Sequence, residues 1–109
     1  MNRILMISTT LAVLAAPVAA QDYRLKALPG ADKVFVWKSK DAHNEGLSLI
    51  QAGAIQSNPM LVAVLLSCIA QPGAKVVMLD AGFATHDIMV IDGESSGCRG
   101  NIAAEALHR

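Results

Sequence analysis

Aromatic side chains are scarce in this chain of 109 residues, which holds one Trp, one Tyr and two Phe. A core must therefore be filled mainly by aliphatic side chains, and most of the ring-paved groove that some small β domains use to hold peptides is missing. Charge of one sign is missing too. Nine basic side chains offset nine acidic ones, interspersed along the chain, so there is no basic stripe for nucleic acid and no polybasic block for acidic lipid. Cysteine is limited to Cys68 and Cys98. They lie too far apart in sequence for the Cys-x-x-Cys arrangement of a redox pair, in which a helix start stabilises the thiolate. No phosphate cradle is present either: Gly93, Gly97 and Gly100 stand in a strand-turn-strand context with no long helix after them. Internal repeats and low-complexity tracts are absent.

What is present begins with the N-terminus. Arg3 supplies one positive charge and residues 4–16 carry none. Pro17-Val18-Ala19-Ala20 then sets small residues at the two positions that signal peptidase reads before Gln21. A membrane-spanning helix needs about 20 consecutive apolar residues; this segment is shorter, contains Ser8, Thr9 and Thr10, and breaks at Pro17. The pattern predicts a cleaved signal peptide over residues 1–20, a periplasmic or secreted protein, and no membrane span after cleavage. Loss of Arg3 leaves a net charge of about −1, and the remaining chain is long enough for one compact domain. In an oxidising compartment an even pair of cysteines predicts a Cys68–Cys98 disulfide. With a loop of roughly 30 residues it contributes on the order of 3.5 kcal/mol in the chain-entropy model.

Residues 21–32 are mixed in character and interrupted by Pro29-Gly30, which predicts an extended lead-in to a single domain over residues 33–109. Residues 33–38 form a β-branched and aromatic run flanked by lysines, the composition of a strand. Over residues 41–52 a helix is expected, with Asp41 as N-cap, Leu47, Ile50 and Ala54 at helical spacing, and Gly53 as the stop. Gly46 inside it costs about 1 kcal/mol relative to Ala. Asn58-Pro59 argues for a helical turn, whereas Val62, Val64 and Ile69 before Gln71-Pro72-Gly73 argue for a strand. A turn or two of helix passing into a strand at residues 66–70 satisfies both. Beyond it come a turn at Pro72-Gly73, a strand over 75–79, a turn at Asp80-Ala81-Gly82, a strand over 86–91, a turn from Asp92-Gly93, a strand over 97–102 and a helical turn over 103–107. The expected class is mainly β, a small antiparallel barrel or sandwich with one short added helix.

Pro72-Gly73-Ala74-Lys75-Val76-Val77-Met78-Leu79, Asp87-Ile88-Met89-Val90-Ile91-Asp92-Gly93, Ser96-Gly97-Cys98-Arg99-Gly100-Asn101-Ile102 and Glu105-Ala106-Leu107 together resemble the bacterial SH3-like (SH3b-type) domain. In that family a glycine and a small residue precede a strand, a central strand follows, a glycine turn leads to Gly-Trp-Val, and a helical turn ends the barrel. The resemblance implies an SH3-like antiparallel barrel. It departs from the family at Cys98, which stands where Trp is frequent, and in lacking the Asn-Val-Arg-Ser-Gly-Pro type of opening. The first departure suggests that the disulfide replaces an aromatic packing anchor. The stretch from Gly82-Phe83 to Gly100 also resembles small periplasmic proteins of Gram-negative bacteria.

Few residues offer chemistry. His86-Asp87 with Ser95 or Ser96 supplies the types of a Ser-His-Asp site, but neighbours on a strand point to opposite faces and neither serine sits in a nucleophile elbow. A metal site from His43, His86 and His108 requires convergence of a helix, a strand and a chain end, with no paired spacing to favour it. Trp37, Phe83 and Arg99 are the candidate partner contacts. The expected function is an exported, non-catalytic accessory or binding module at the cell envelope, without cofactor, whose partner is a protein or cell-wall component and not nucleic acid. The alternative is a small exported inhibitor of a hydrolase, and a metal-binding protein ranks third. The signal pattern makes one expectation directly measurable: N-terminal sequencing and intact mass of exported protein give a chain starting at Gln21, whereas residues 1–20 retained in a membrane fraction mean an anchor instead.

Overall fold

The computed structural model describes residues 23–109; the expected signal segment, residues 1–20, and its cut before Gln21 lie outside the described residues. Strands β1 (Tyr23–Leu25), β2 (Val34–Trp37), β3 (Leu66–Ala70), β4 (Lys75–Ala81), β5 (Thr85–Val90), β6 (Arg99–Ala103) and β7 (Leu107–His108) form one antiparallel sheet of order β3-β2-β6-β5-β4-β1-β7. Three short helices lie between β2 and β3, namely α1 (Lys40–Gln51), α2 (Ala54–Ser57) and α3 (Met60–Ala63), and a 3-10 turn spans Ala104–Ala106. The class is mainly β, as expected. No ladder joins β3 to β7, so the sheet is open rather than closed by hydrogen bonds, and one single-turn helix, α2, is added to the expected helix and the expected helical turn.

The run Val34-Phe35-Val36-Trp37 is apolar throughout because β2 is covered on both faces. Successive strand residues point to opposite sides, and here each side meets a core. Val34 and Val36 join Leu25, Ala70, Val76, Ile88, Val90, Ile102 and Ala106 in the main core. Leu25 belongs to β1 and Ala70 to β3, which lie near opposite ends of the strand order, so the sheet curls round this core. On the other side Trp37 joins Ala42, Ala54 and Val62, with Phe35, Leu49, Ile50, Leu65 and Leu66 packed around them. These residues fasten the helices to the outside of the sheet.

The segment expected as a lead-in supplies β1. Leu25 is fully buried; its N–H donates to the Ala74 carbonyl at 2.9 Å, and its carbonyl accepts from the Gly73 N–H at 2.7 Å. Three residues carry too little pattern to be read as a strand; their β4 and β7 partners, distant in sequence, make them one. Residues 60–70 resolve as a helical turn followed by a strand, as expected. The hairpin differs slightly: β4 runs on through Ala81 with a register shift between Met78 and Asp80, and the turn moves to residues 82–84. A Cβ on Gly82 would run into the Thr85 carbonyl, so this tight reversal requires glycine.

Helix α1 is capped by Ser39, whose Oγ accepts from the Ala42 N–H at 3.0 Å. Asp41, the expected cap, lies in the first turn instead, where its charge complements the helix dipole. Gly53 ends the helix with φ +85° and an N–H donated to the Ile50 carbonyl, the left-handed stop that glycine allows. The buried face is Ala42, His43 and Gly46, whereas Leu47 stays 38% exposed. Gly46 has a packing role that outweighs its helix penalty, because a Cβ there would overlap the Trp37 ring. Two opposing terms decide Gly46→Ala: helix propensity favours Ala by about 1 kcal/mol, while overpacking a filled core costs about 1–3 kcal/mol. With the indole buried the second prevails, so urea unfolding followed by Trp37 emission should show a net loss of up to about 2 kcal/mol. A gain in stability would mean that the helix has room to move off the ring.

Candidate functional site

A cleft of about 570 Å³ opens between the loop of residues 26–33 and helices α1 and α2. The loop is shaped by a turn at Leu28-Pro29-Gly30-Ala31, in which the Ala31 N–H donates to the Leu28 carbonyl at 2.9 Å and Gly30 takes φ +84°. Proline followed by a glycine of positive φ is the type II signature. The loop is tied back by the Lys26 N–H, which donates to the Ala106 carbonyl at 2.8 Å. Leu28 stands on the loop side, Leu47, Ile50 and Ile55 on the helix side, and Phe35 and Trp37 come from β2. The two rings meet edge to face with centroids 5.6 Å apart. Polar side chains are few: Lys26, Asp32 and Lys33 on the loop, and buried His43, whose ring stands edge to face with Trp37 at 6.0 Å. Leu28, Leu47 and Ile55 are between 36% and 40% exposed, so apolar side chains share the opening with the charged ones of the loop.

A second groove, of about 460 Å³, is polar and mixed in charge: Lys38, Lys40 and Arg99 line it together with Asp80 and Asp87. The three candidate partner contacts therefore separate. Trp37 is only 3% exposed, a core residue beside the first cleft and not a surface contact. Arg99 is exposed at the second groove, and Phe83 stands fully exposed in the β4–β5 turn, lining neither.

The Ser-His-Asp types do not assemble. His86 Nδ1 accepts from the Gly82 N–H at 3.2 Å, Asp87 Oδ1 accepts from Asn101 Nδ2 at 2.9 Å, and Ser95 Oγ donates to the Ile69 carbonyl at 3.1 Å. His43, His86 and His108 sit on α1, β5 and β7, and among the described residues no group of three or more His, Cys, Asp or Glu is placed to hold a metal ion. Asn101 was not legible as a junction. It is buried opposite Asp87 on β5, and its amide NH2 donates to both Thr85 Oγ1, at 3.1 Å, and Asp87, while its Oδ1 has no partner. An asparagine between Gly100 and Ile102 carries no sequence signal for this; only the strand register brings Thr85 and Asp87 to it.

Cys68 and Cys98 form a disulfide, with Cα atoms 6.5 Å apart. Both half-buried residues pack against the main core. On either side of the bond Ser67 Oγ donates to the Arg99 carbonyl at 2.6 Å and Ser95 Oγ reaches Ile69. Edge strand β3 is thereby fastened to residues 95–99, which lead into β6.

The fold and its clefts thus define a mainly β, disulfide-linked domain with helices on one side of a curled sheet. No family model, curated protein or solved structure matches the chain. No helix among the described residues is long and apolar enough to cross a membrane. Replacing both cysteines by Ala should lower the unfolding free energy by about 2–5 kcal/mol, measured by denaturant titration, and thiol labelling of the native oxidised protein should find no free cysteine. Two reactive thiols in that material would defeat the structural role.

Proposed function

We propose that this chain is an exported, non-catalytic binding module of the cell envelope, an SH3-like domain whose working site is the apolar cleft beside Phe35 and Trp37. The cleft carries the reading. Its volume of about 570 Å³ falls within the range of small-ligand pockets, which are mostly apolar with a few polar groups. Leu28, Leu47 and Ile55 stay partly exposed at its opening, apolar surface that an occupant would cover. Export is supported by the Arg3-to-Ala20 pattern and by the disulfide, a bond that persists in oxidising compartments. The SH3-like reading draws support from the β4-β5-β6 antiparallel run followed by the Ala104–Ala106 turn, the order of elements that the resemblance implies.

One observation favours the second reading, a small inhibitor of a hydrolase. Phe83 is a fully exposed ring in a turn where the Gly82 N–H bonds to His86, a projecting aromatic suited to another protein's pocket. The two readings separate with a neutral apolar dye such as Nile red. Saturable binding at one site, lost in Leu47→Arg without a change in the unfolding midpoint, and unaffected by Phe83→Ala, supports the cleft. Absence of saturable binding removes the cleft as the working site.

A further inference from the structure

We propose that the cleft takes an amphipathic monocarboxylate: an apolar hydrocarbon body lies between the 26–33 loop and the helices, and its carboxylate is held by Lys26 and Lys33. The proposal rests on the reading of the cleft as the working site and names what fills it.

The lining selects the body. Phe35 and Ile50, both half-buried, offer ring and hydrocarbon surface with nothing to pair a polar group. His43 is the polar side chain beside them, and its Nδ1 already faces the Asn44 side-chain oxygen at 3.4 Å. A peptide laid here would bring amides that need partners, and each one left unpaired costs roughly ten- to hundredfold in affinity. A methylene chain brings none and gains from every carbon removed from water. Leu28, Leu47 and Ile55 come from the loop and from two separate helices, yet all line this one opening. A chain inserted between them covers all three.

The charges select the head. Lys26 and Lys33 stand against a single acid, Asp32, on the loop, so this wall carries a net positive charge. Both lysines are exposed. Their aliphatic stems extend the apolar wall while the ammonium groups stay in water, and a carboxylate meeting them there keeps most of its own hydration. A neutral head gains nothing from the pair, and a cationic head is repelled. Pairing at an exposed lip is a modest effect, which sets the size of discrimination to look for.

The test is competition against the neutral dye on the purified protein, with decanoate, decanol and decyltrimethylammonium as probes, each below the concentration at which it self-associates. Decanoate should displace the dye at a concentration about fivefold lower than decanol, and the cation should be weakest. The preference should shrink in about 0.5 M salt. In the double variant Lys26→Gln, Lys33→Gln it should vanish while decanol affinity stays within about twofold of the parent. Decanol binding as tightly as decanoate, or a preference that survives in the double variant, overturns the carboxylate assignment and leaves the cleft reading standing. Displacement by an apolar peptide but by none of the three probes overturns it in favour of a protein partner. A dye that fails to bind at all sinks the cleft reading itself, and this proposal with it.

Discussion

The packing of Trp37 on Gly46 is the contact on which most of the remaining architecture depends. In a domain with so few aromatics this indole is the largest side chain between the sheet and its helices, and it is almost wholly buried. Helix α1 approaches the ring at a position without a Cβ, and a second glycine serves the same strand from the other side. A Cβ on Gly100 would run into the Trp37 carbonyl and the Val36 side chain. Two glycines thus let β6 and α1 close on one short strand. Once α1 is docked, His43 stands against the indole, and Leu47 and Ile50 become one wall of the cleft.

A sheet that ends in an open strand needs that edge controlled, since unpaired backbone groups invite further strands. Here β3 is held at its inner side by β2 through the Val34↔Ala70 and Phe35↔Ile69 register. The rest of its restraint is not backbone pairing: the disulfide and the Ser67 and Ser95 hydroxyls bind it to residues 95–99. A covalent link suits this place because the main core is aliphatic and small, and a domain of this size has little stability to spare. The same restraint steadies the strand that follows α3, and so the helical layer that borders the cleft.

The two faces of β2 also divide the labour of the molecule. The inner face builds the core that curls the sheet, whereas the outer face carries the helices and, beyond their edge, the cleft. Surface chemistry is kept apart from both, with Phe83 in one hairpin turn and Arg99 at the polar groove. The apolar cleft therefore has one wall on the packed helical layer and the other on the 26–33 loop, which the Lys26 N–H ties back to Ala106.

Local signals in the chain were enough for the β-branched run of β2, the helix stopped by Gly53, the turn-then-strand character of residues 60–70 and the succession of hairpins after Pro72. Each depends on spacing or turn chemistry within a few residues. The cysteine pair was equally legible, because a chain with two cysteines allows only one intramolecular bond. Contacts distant in sequence settled the rest. Tyr23–Leu25 becomes a strand only because β4 and β7 flank it, and Trp37 is withdrawn from the surface only because Gly46 gives the helix room to cover it. The Asn101 junction follows from the β5–β6 register, and the cleft from a proline-glycine turn brought opposite a helix face. Periodicity along a chain reports which side of an element is apolar; which partner covers that side, and where cover is left incomplete, is decided when the elements meet.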